Sequence, residues 1–319
     1  MVIIRIAVAA LSFCASFATA QSYPTKPVRL IVPFAPGGGT DIVARIMAQR
    51  ATEALKQSVV VDNRGGAGGL VGMEMIVRAT PDGYTLGMVT ASIGTTAAAY
   101  KLPYDPVTDM APINIVAETG YLLTLHPSLP VKNTQDLIVY AKSHPGKVSY
   151  GSSGTGGTAH LAGELFDLMA GVKTTHVPYK SSGPALIDLI AGQIEMIYGS
   201  VPVVVPHMKT GKLRVISITT LKRSGALPDI PTVAESGVPG YETITWYGLV
   251  GPKALPRAVA TRWQDTLGAA LQTREMRERF QLDGLEAGEA GSAYLGGIIK
   301  RDIEKWARVV KAANLKLAN

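Results

Sequence analysis

The chain has 319 residues, of which 47% are hydrophobic and 17% are charged. This composition excludes a disordered protein and is typical of one large globular domain or two smaller ones. The net charge is +7, but the basic residues are scattered and form no run of five or more. The charge pattern therefore favours small anions over nucleic acid as partners.

Residues 1–20 have the pattern of a secretory signal peptide. Arg5 precedes an apolar run, and a small-residue cleavage pattern ends at Ala20. The alternative is a membrane anchor, but the run is shorter than the ~20 residues that a spanning helix needs. The only cysteine, Cys14, follows Phe13 rather than a small residue, which disfavours lipidation. We expect cleavage after Ala20 and a periplasmic protein without disulfides, thiolate zinc sites or a cysteine nucleophile.

A glycine-rich loop separates the first predicted strand from the first predicted helix. Residues 28–34 form a short apolar run that predicts a buried strand, and the spacing of apolar residues predicts a helix over residues 41–56. The glycines at 37–39 allow a tight turn with exposed N–H groups, and Thr40 and Asp41 suit a helix start. Because a helix N-terminus with free N–H groups attracts negative charge, this loop is a candidate anion site.

The next segments continue the alternation of strands and helices. Residues 59–61 predict a second strand, and a further glycine-rich loop at 63–69 is interpreted as structural because no Ser or Thr cap adjoins it. Residues 84–90 predict a third strand that ends beside Ser92. This order indicates a parallel sheet, whose ligands lie beyond the carboxyl ends of the strands.

The same pattern returns in the second half of the chain. A predicted helix at 134–143 and strand at 147–151 lead into the loop 152–160, which ends in Gly-Gly-Thr-Ala-His before another helix. The first loop also contains Gly-Gly-Thr, so two similarly built domains could face each other with one anion cradle each. The alternative is that both loops are ordinary strand-to-helix turns; the matched pair favours a shared anion site.

Two extended segments, 113–125 and 241–250, would cross between the domains. The first domain would then contain residues 21–122 and 244–319, and the second residues 123–243. The remaining predicted strands lie at 175–179, 194–198 and 214–219, with helices at 184–191, 256–273 and 294–313.

Reaction groups are sparse in this sequence. The histidines are dispersed without metal-ligand spacing, so we expect neither a metal nor a cofactor. The glycine loops match neither a P-loop nor a dinucleotide fingerprint. An exported hydrolase using Ser152 or Ser153 with His160 is the alternative, although capping suits His160 better than general base catalysis. The sequence thus supplies binding groups rather than an evident nucleophile and base.

A series of stretches carries a family resemblance. They are YPTKP at 23–27, VPFAPGGGTD at 32–41, NRGGAGG at 63–69, PDGYTL at 81–86, YDP at 104–106, SSGTGGTAH at 152–160, VPYK at 177–180, GKLR at 211–214 and PTVAESG at 231–237. Each is weak alone, but together and in this order they resemble the Bug-type periplasmic solute-binding receptors of tripartite tricarboxylate transporters. The resemblance covers nearly all of the mature chain.

The resemblance implies an α/β, type II-like periplasmic-binding-protein (Venus-flytrap) fold with two domains and two crossing strands. It implies a receptor that passes a small carboxylate to the permease subunits of such a transporter. We expect a monomer that is not an enzyme, and docking of the closed receptor on a sensor protein is a further alternative. Many members carry Asp where this chain has Gly199, so an amino-bearing ligand is less favoured. The implied ligand-binding residues are Phe34, Gly37, Gly38, Thr40, Asp41, Ser92, Ser152, Ser153, Thr155, Gly156, Thr158, His160, Tyr198, Gly199 and Trp246.

Overall fold

The computed structural model describes residues 23–288 and 291–312, so the predicted signal peptide lies outside the described residues. Strands and helices alternate along this part of the chain. The strands are β1 Val28–Val32, β2 Val59–Asn63, β3 Thr85–Thr90, β4 Met110–Leu125, β5 Ser149–Ser152, β6 Thr175–Pro178, β7 Met196–Ser200, β8 Arg214–Ile218, β9 Ile244–Pro252 and β10 Glu286–Ala287. The helices are α1 Gly39–Leu55, α2 Leu70–Val77, α3 Ser92–Ala99, α4 Thr134–Ser143, α5 Thr158–Ala170, α6 Ser182–Ile190, α7 Val201–Val204, α8 Arg257–Gln272, α9 Arg274–Leu282 and α10 Ser292–Ala312, with 3₁₀ turns at Ala67–Gly69 and Val205–Thr210.

One long strand joins the two halves of the sheet. The strand order is β2-β1-β3-β9-β4-β7-β5-β6, and β8 and β10 also pair with β4. The first half of β4 pairs with β9, and its second half pairs with β7 and β8, all antiparallel. The predicted parallel pairing holds for β1 with β2 and β3, and for β5 with β6 and β7. The crossing strands therefore add antiparallel pairs in the middle of two parallel sets.

Thr219 is hydrogen-bonded to both segments at which the chain crosses between the two halves of the sheet. The Thr219 hydroxyl accepts from Tyr121 N (2.7 Å) and donates to the Thr243 carbonyl (2.6 Å). The Thr219 backbone also donates to Tyr121 O and accepts from Thr243 N. Thr219 is fully buried, so the two crossings of the chain are fixed beside each other.

Each half of the sheet has its own apolar core. Leu30 of β1, Met47 of α1 and Trp263 of α8 belong to one buried cluster, whereas Tyr150 of β5 and Phe166 of α5 belong to another. Burying one large apolar side chain stabilises the fold by about 1.5–3 kcal/mol. The helices thus pack on the sheet faces and leave the strand ends free for a site.

The end of the chain differs from the prediction in the number of helices. We predicted two closing helices, but within residues 23–288 and 291–312 three follow β9, because α8 ends before Thr273 and a new helix begins after it. The Thr273 hydroxyl accepts from Met276 N (3.3 Å) and caps α9. Within residues 23–288 and 291–312, no helix combines the length and apolar character needed to cross a membrane.

Candidate ligand-binding cleft

A cavity lies between the two halves of the molecule, where several helices begin. Its volume is about 30 Å³, more than the ~10–15 Å³ that one water needs. Its lining residues are Phe34, Gly38, Gly39, Thr40, Thr90, Ser92, Tyr121, Ser153, Thr158, Ala159, Ser181, Ser182, Tyr198, Ser200, Thr245 and Tyr247. The predicted residues among them are Phe34, Gly38, Thr40, Ser92, Ser153, Thr158 and Tyr198. The cavity therefore receives residues from both predicted loops.

Four helices begin at this cavity: α1, α3, α5 and α6. The residues Gly38, Gly157 and Ser181 precede α1, α5 and α6 in extended conformation, and none of them makes a side-chain capping bond. The first N–H groups of a helix have no partner within it. An anion in the cavity could accept hydrogen bonds from them and would be stabilised by the helix dipoles.

Among the residues that the structure describes, no Lys, Arg, His, Asp or Glu side chain lines the cavity. Each helix N-terminus carries the equivalent of about half a positive charge. The positive potential of the cavity therefore comes from backbone dipoles. The site can bind an anion, yet it leaves no unpaired cationic side chain buried when the anion is absent.

Two hydroxyl groups of the lining are buried without a hydrogen-bond partner: Ser181 Oγ and Tyr198 Oη. Burial raises the pKa of Tyr198 well above its usual value, so its hydroxyl stays protonated and can donate. A buried polar atom without a partner costs about 1–3 kcal/mol. These atoms are therefore available to a polar ligand.

Asp41 shapes the first loop instead of lining the cavity. Its carboxylate accepts hydrogen bonds from Gly37 N, Arg45 Nε and Asn63 Nδ2, each at 3.0 Å. Burial opposes its ionisation, but the hydrogen bonds from Arg45, Gly37 and Asn63 outweigh burial and lower its pKa. Gly37 has a φ of +79°, which favours glycine at this turn. Gly37 and Asp41, both predicted to bind the ligand, thus stabilise the conformation of the loop without lining the cavity.

The second loop is held by two stacked histidines, of which His160 is buried. Ser152 Oγ lies 2.6 Å from His176 Nε2, whose ring stacks on His160 at 3.8 Å between centroids. His160 Nδ1 accepts from Gly156 N (3.1 Å), and its Nε2 lies 3.5 Å from Glu164 Oε1. Burial, reinforced by the neighbouring His160, lowers the pKa of His176 to about 3. Neither serine of the hydrolase alternative is hydrogen-bonded to His160 among the described residues, because Ser152 pairs with His176 and Ser153 lines the cavity.

Thr155 and Gly156 lie on the outer side of the second loop. The Thr155 carbonyl oxygen would be 2.6 Å from a Cβ added at Gly68, and a Cβ at Gly156 would collide with the ring of Tyr100. Thr155 also lines a separate groove with Lys180. These predicted residues support the loop without lining the cavity.

Gly199 and Trp246 point away from the cavity. A Cβ at Gly199 would lie 2.4 Å from Val204, in the core behind β7. Trp246 is fully buried and donates its indole N–H to Asp302 Oδ2 at 2.8 Å. The identity of residue 199 therefore does not set the charge of the cavity lining. Contrary to the prediction, Gly199 gives no reason to disfavour an amino-bearing ligand.

Sequence reasoning missed several lining residues. They are Gly39, Thr90, Tyr121, Ala159, Ser181, Ser182, Ser200, Thr245 and Tyr247. A signal for Ser200 was present, because side chains two positions apart on a strand share a face and Tyr198 was predicted. Gly39 lies close to two of these lining side chains: a Cβ there would be 2.6 Å from Tyr247 Oη and 2.7 Å from Ser200 Oγ.

The two halves touch directly beside the cavity. Ala35 N donates to the Lys180 carbonyl at 3.1 Å, and a Cβ at Gly183 would lie 2.7 Å from the Gly37 carbonyl oxygen. The cleft is therefore closed in this structure. Within residues 23–288 and 291–312, no group of three or more His, Cys, Asp or Glu side chains could hold a metal ion.

Comparisons with known proteins identify the family of this chain. The sequence profile of the tripartite tricarboxylate transporter family receptor (TctC) matches residues 43–315. Protein BugT of Bordetella pertussis (strain Tohama I) is 34% identical over 303 residues, covering 94% of this chain and 93% of BugT. R. palustris Rpa4515, whose structure was solved with adipate, has 37% sequence identity to this chain and a TM-score of 0.88. The match covers 92% of this chain and 98% of Rpa4515.

The fold prediction is confirmed by a further solved structure. The periplasmic binding protein BugD is 35% identical, with a TM-score of 0.87 and coverage of 92% of this chain and 99% of BugD. The mixed α/β sheet with helices on its faces is thus a two-domain periplasmic-binding-protein fold. Profile, relatives and fold together confirm the resemblance read from the sequence: the chain belongs to the family of tripartite tricarboxylate transporter receptors.

Proposed function

We propose that this chain is an exported receptor that captures a small carboxylate between its two domains without turning it over. The observation that carries the proposal is the convergence of four helix N-termini on a closed cavity that no charged side chain lines. Such a site stabilises an anion through N–H groups and dipoles. The adipate bound to the related Rpa4515 supports a carboxylate as the ligand.

Capture would depend on closure of the two domains. The first domain, residues 21–122 and 244–319, contributes the α1 and α3 N-termini, and the second, residues 123–243, contributes those of α5 and α6. A ligand that contacts both walls binds the closed form more tightly and so shifts the population toward it. The crossing strands next to Thr219 would act as the hinge.

We place the mature receptor in the periplasm, beginning after cleavage at Ala20. The ligand would pass to the permease subunits of a tripartite tricarboxylate-type transporter, as the family membership supports. The closed form is the state that such a permease would have to distinguish from the empty, open form.

A ligand screen tests the proposal. The protein is unfolded, dialysed and refolded to remove any co-purified ligand, and mono-, di- and tricarboxylates are compared with their primary amides by thermal unfolding and calorimetry. At one hundred times its Kd, a true ligand stabilises the protein by about 2.7 kcal/mol. We expect carboxylates to bind and the matched amides to fail, because the amides carry no charge for the helix dipoles.

A matched pair of variants tests the location of the site. Thr158→Val removes a buried hydroxyl at the start of α5 and keeps the volume of the side chain, so it should weaken carboxylate binding. Thr266→Val removes a hydroxyl that donates to the Arg262 carbonyl within α8 and should bind normally. Failure of every carboxylate, or equal binding by both variants, would contradict the proposal.

A further inference from the structure

A second, larger groove adjoins the ligand cavity, and Ser153 lines both. Ala35 and loop residues 66–68 line this groove from the first half of the molecule, and residues 153–155 and 178–180 line it from the second. Its volume is about 530 Å³, within the ~300–1,000 Å³ that is typical of binding pockets. We call it the rim groove. The glycine-rich loop that the sequence indicated as structural thus forms part of one wall.

Contacts between the two walls hold the rim groove together. Ala35 N donates to the Lys180 carbonyl oxygen at 3.1 Å. A Cβ at Gly68 would lie 2.6 Å from the Thr155 carbonyl oxygen, and a Cβ at Gly154 would lie 3.0 Å from Gly68 N. These atoms belong to opposite halves of the molecule, so opening the cleft would separate them. The rim groove is therefore a surface of the closed form only.

Lys180 gives the rim groove its charge. It is exposed, and within the part of the chain that the structure describes it is the only charged residue that lines the groove. Among those residues its ammonium group forms no ion pair. Lys180 does not line the ligand cavity. Its positive charge is therefore available to an acidic partner outside the cavity.

The walls of the rim groove suit an extended chain. Gly66, Gly68 and Gly154 have φ values of +152°, +64° and +127°, which side chains rarely allow. Because glycine carries no side chain, the walls present bare backbone that the main chain of another protein can approach closely. A segment of this shape with an acidic side chain would complement both the backbone walls and Lys180.

We propose that the rim groove is the surface by which a membrane permease recognises the loaded receptor, and that its occupant is an extended permease segment whose Asp or Glu pairs with Lys180. This inference rests on the proposed delivery of a carboxylate to a permease and identifies where the two proteins meet. Because the groove needs closure, the empty, open receptor offers no such surface. The permease would thus distinguish the two forms without touching the ligand.

Separate measurements of transport and binding test the docking surface. The receptor gene is replaced by variants in its own host, and whole cells are assayed for uptake of the tightest-binding carboxylate of the ligand screen, labelled with ¹⁴C. Lys180→Glu would bring like charges together, so uptake should fall at least tenfold. Its Kd in calorimetry should equal that of the wild type, because the side chain lies outside the cavity and the bond from Ala35 uses the backbone. Lys180→Arg keeps the charge and should retain most of the uptake.

Lys142→Glu is the control, because it reverses an exposed charge in the last turn of α4, outside the rim groove. It should transport normally. Normal uptake with Lys180→Glu, or an equal loss with Lys142→Glu, would overturn the docking surface but leave carboxylate capture standing. Weaker carboxylate binding by Lys180→Glu would also overturn it, because Lys180 would then act on the ligand. Wild-type binding without receptor-dependent uptake would overturn docking on a permease, whereas absence of binding by every carboxylate would overturn the proposed function itself.

Discussion

Closure of the cleft can be tested by Gly183→Ala, a substitution that adds one methyl group outside the cavity. Gly183 lies in the first turn of α6, and a Cβ there would be 2.7 Å from the Gly37 carbonyl oxygen and 2.9 Å from the Gly37 carbonyl carbon. Ordinary van der Waals contact begins at 3.4 Å, so the two walls would have to separate by about 0.7 Å. Gly183→Ala should therefore hinder the closed form without touching the ligand.

The expected effect on binding follows from the overlap. Overpacking a tight contact costs about 1–3 kcal/mol, which corresponds to a Kd raised about 5-fold to 150-fold. In the open form the same substitution favours the helix, since alanine is better than glycine there by up to about 1 kcal/mol. The empty variant should therefore be at least as stable as the wild type while binding its ligand more weakly.

The assay combines calorimetry with small-angle scattering. The wild type should become more compact on adding a carboxylate identified by the ligand screen, and Gly183→Ala should require a higher concentration to do so. Gly297→Ala is the control, because a Cβ at this helical glycine meets no atom within 4 Å. Wild-type affinity and compaction in Gly183→Ala would refute the view that contact between Gly183 and Gly37 accompanies closure.

Further substitutions probe the cavity and its supports. Gly39→Ala should abolish carboxylate binding measured by calorimetry, with circular dichroism unchanged, because its Cβ would lie 2.6 Å from Tyr247 Oη; retained affinity would contradict this. Asp41→Asn should lower the free energy of unfolding in urea by about 1–3 kcal/mol at pH 7. The lowered pKa of Asp41 means that this difference is lost as the pH falls through the folded-state pKa; a pH-independent difference would argue against it. Burial raises the pKa of Asp302 to about 6, although Trp246 donates a hydrogen bond to its carboxylate. The folded protein therefore binds this proton more tightly than the unfolded chain, and the resulting stabilisation of the wild type is lost as the pH rises from about 4 to 6. Relative to the wild type, Asp302→Asn should therefore gain up to about 1.4 kcal/mol per pH unit across that range in urea unfolding; a constant difference would exclude the effect.

Local sequence was sufficient for the two loops because their signals are local. An apolar strand, a glycine turn and a helix start occur within a few residues in each case, and their repetition indicated a shared site. The same reasoning placed Thr158 at a helix start, where the structure has it. It also predicted Thr40 or Asp41 as the N-cap of α1, but the N-cap is Gly38. It did not assign roles within the loops, because the hydrogen bonds of Asp41 reach Asn63, which lies far along the chain.

The phase of the strands could not be read from the sequence. Thr245 and Tyr247 line the cavity, whereas Trp246 between them faces the core. Alternation along a strand gives two possible faces, and only the position of the strand in the sheet selects one. The same ambiguity explains Gly199, which lies between two lining residues.

The beginning of α6 was missed for a different reason. A serine before a helix is ordinarily explained by capping, so Ser181 gave no signal of its own. That its hydroxyl lacks a partner depends on the conformation of the cap and on the opposite wall, which comes from residues more than one hundred positions earlier.

The central claim is that one carboxylate-bearing ligand is held by helix N-termini from both domains. A crystal structure of the refolded protein with a carboxylate identified by the ligand screen would test it most directly. We predict a carboxylate of the ligand within hydrogen-bonding distance of the first N–H groups of α1 and α5. A ligand bound to one domain only, or paired with a cationic side chain outside this cavity, would contradict the account.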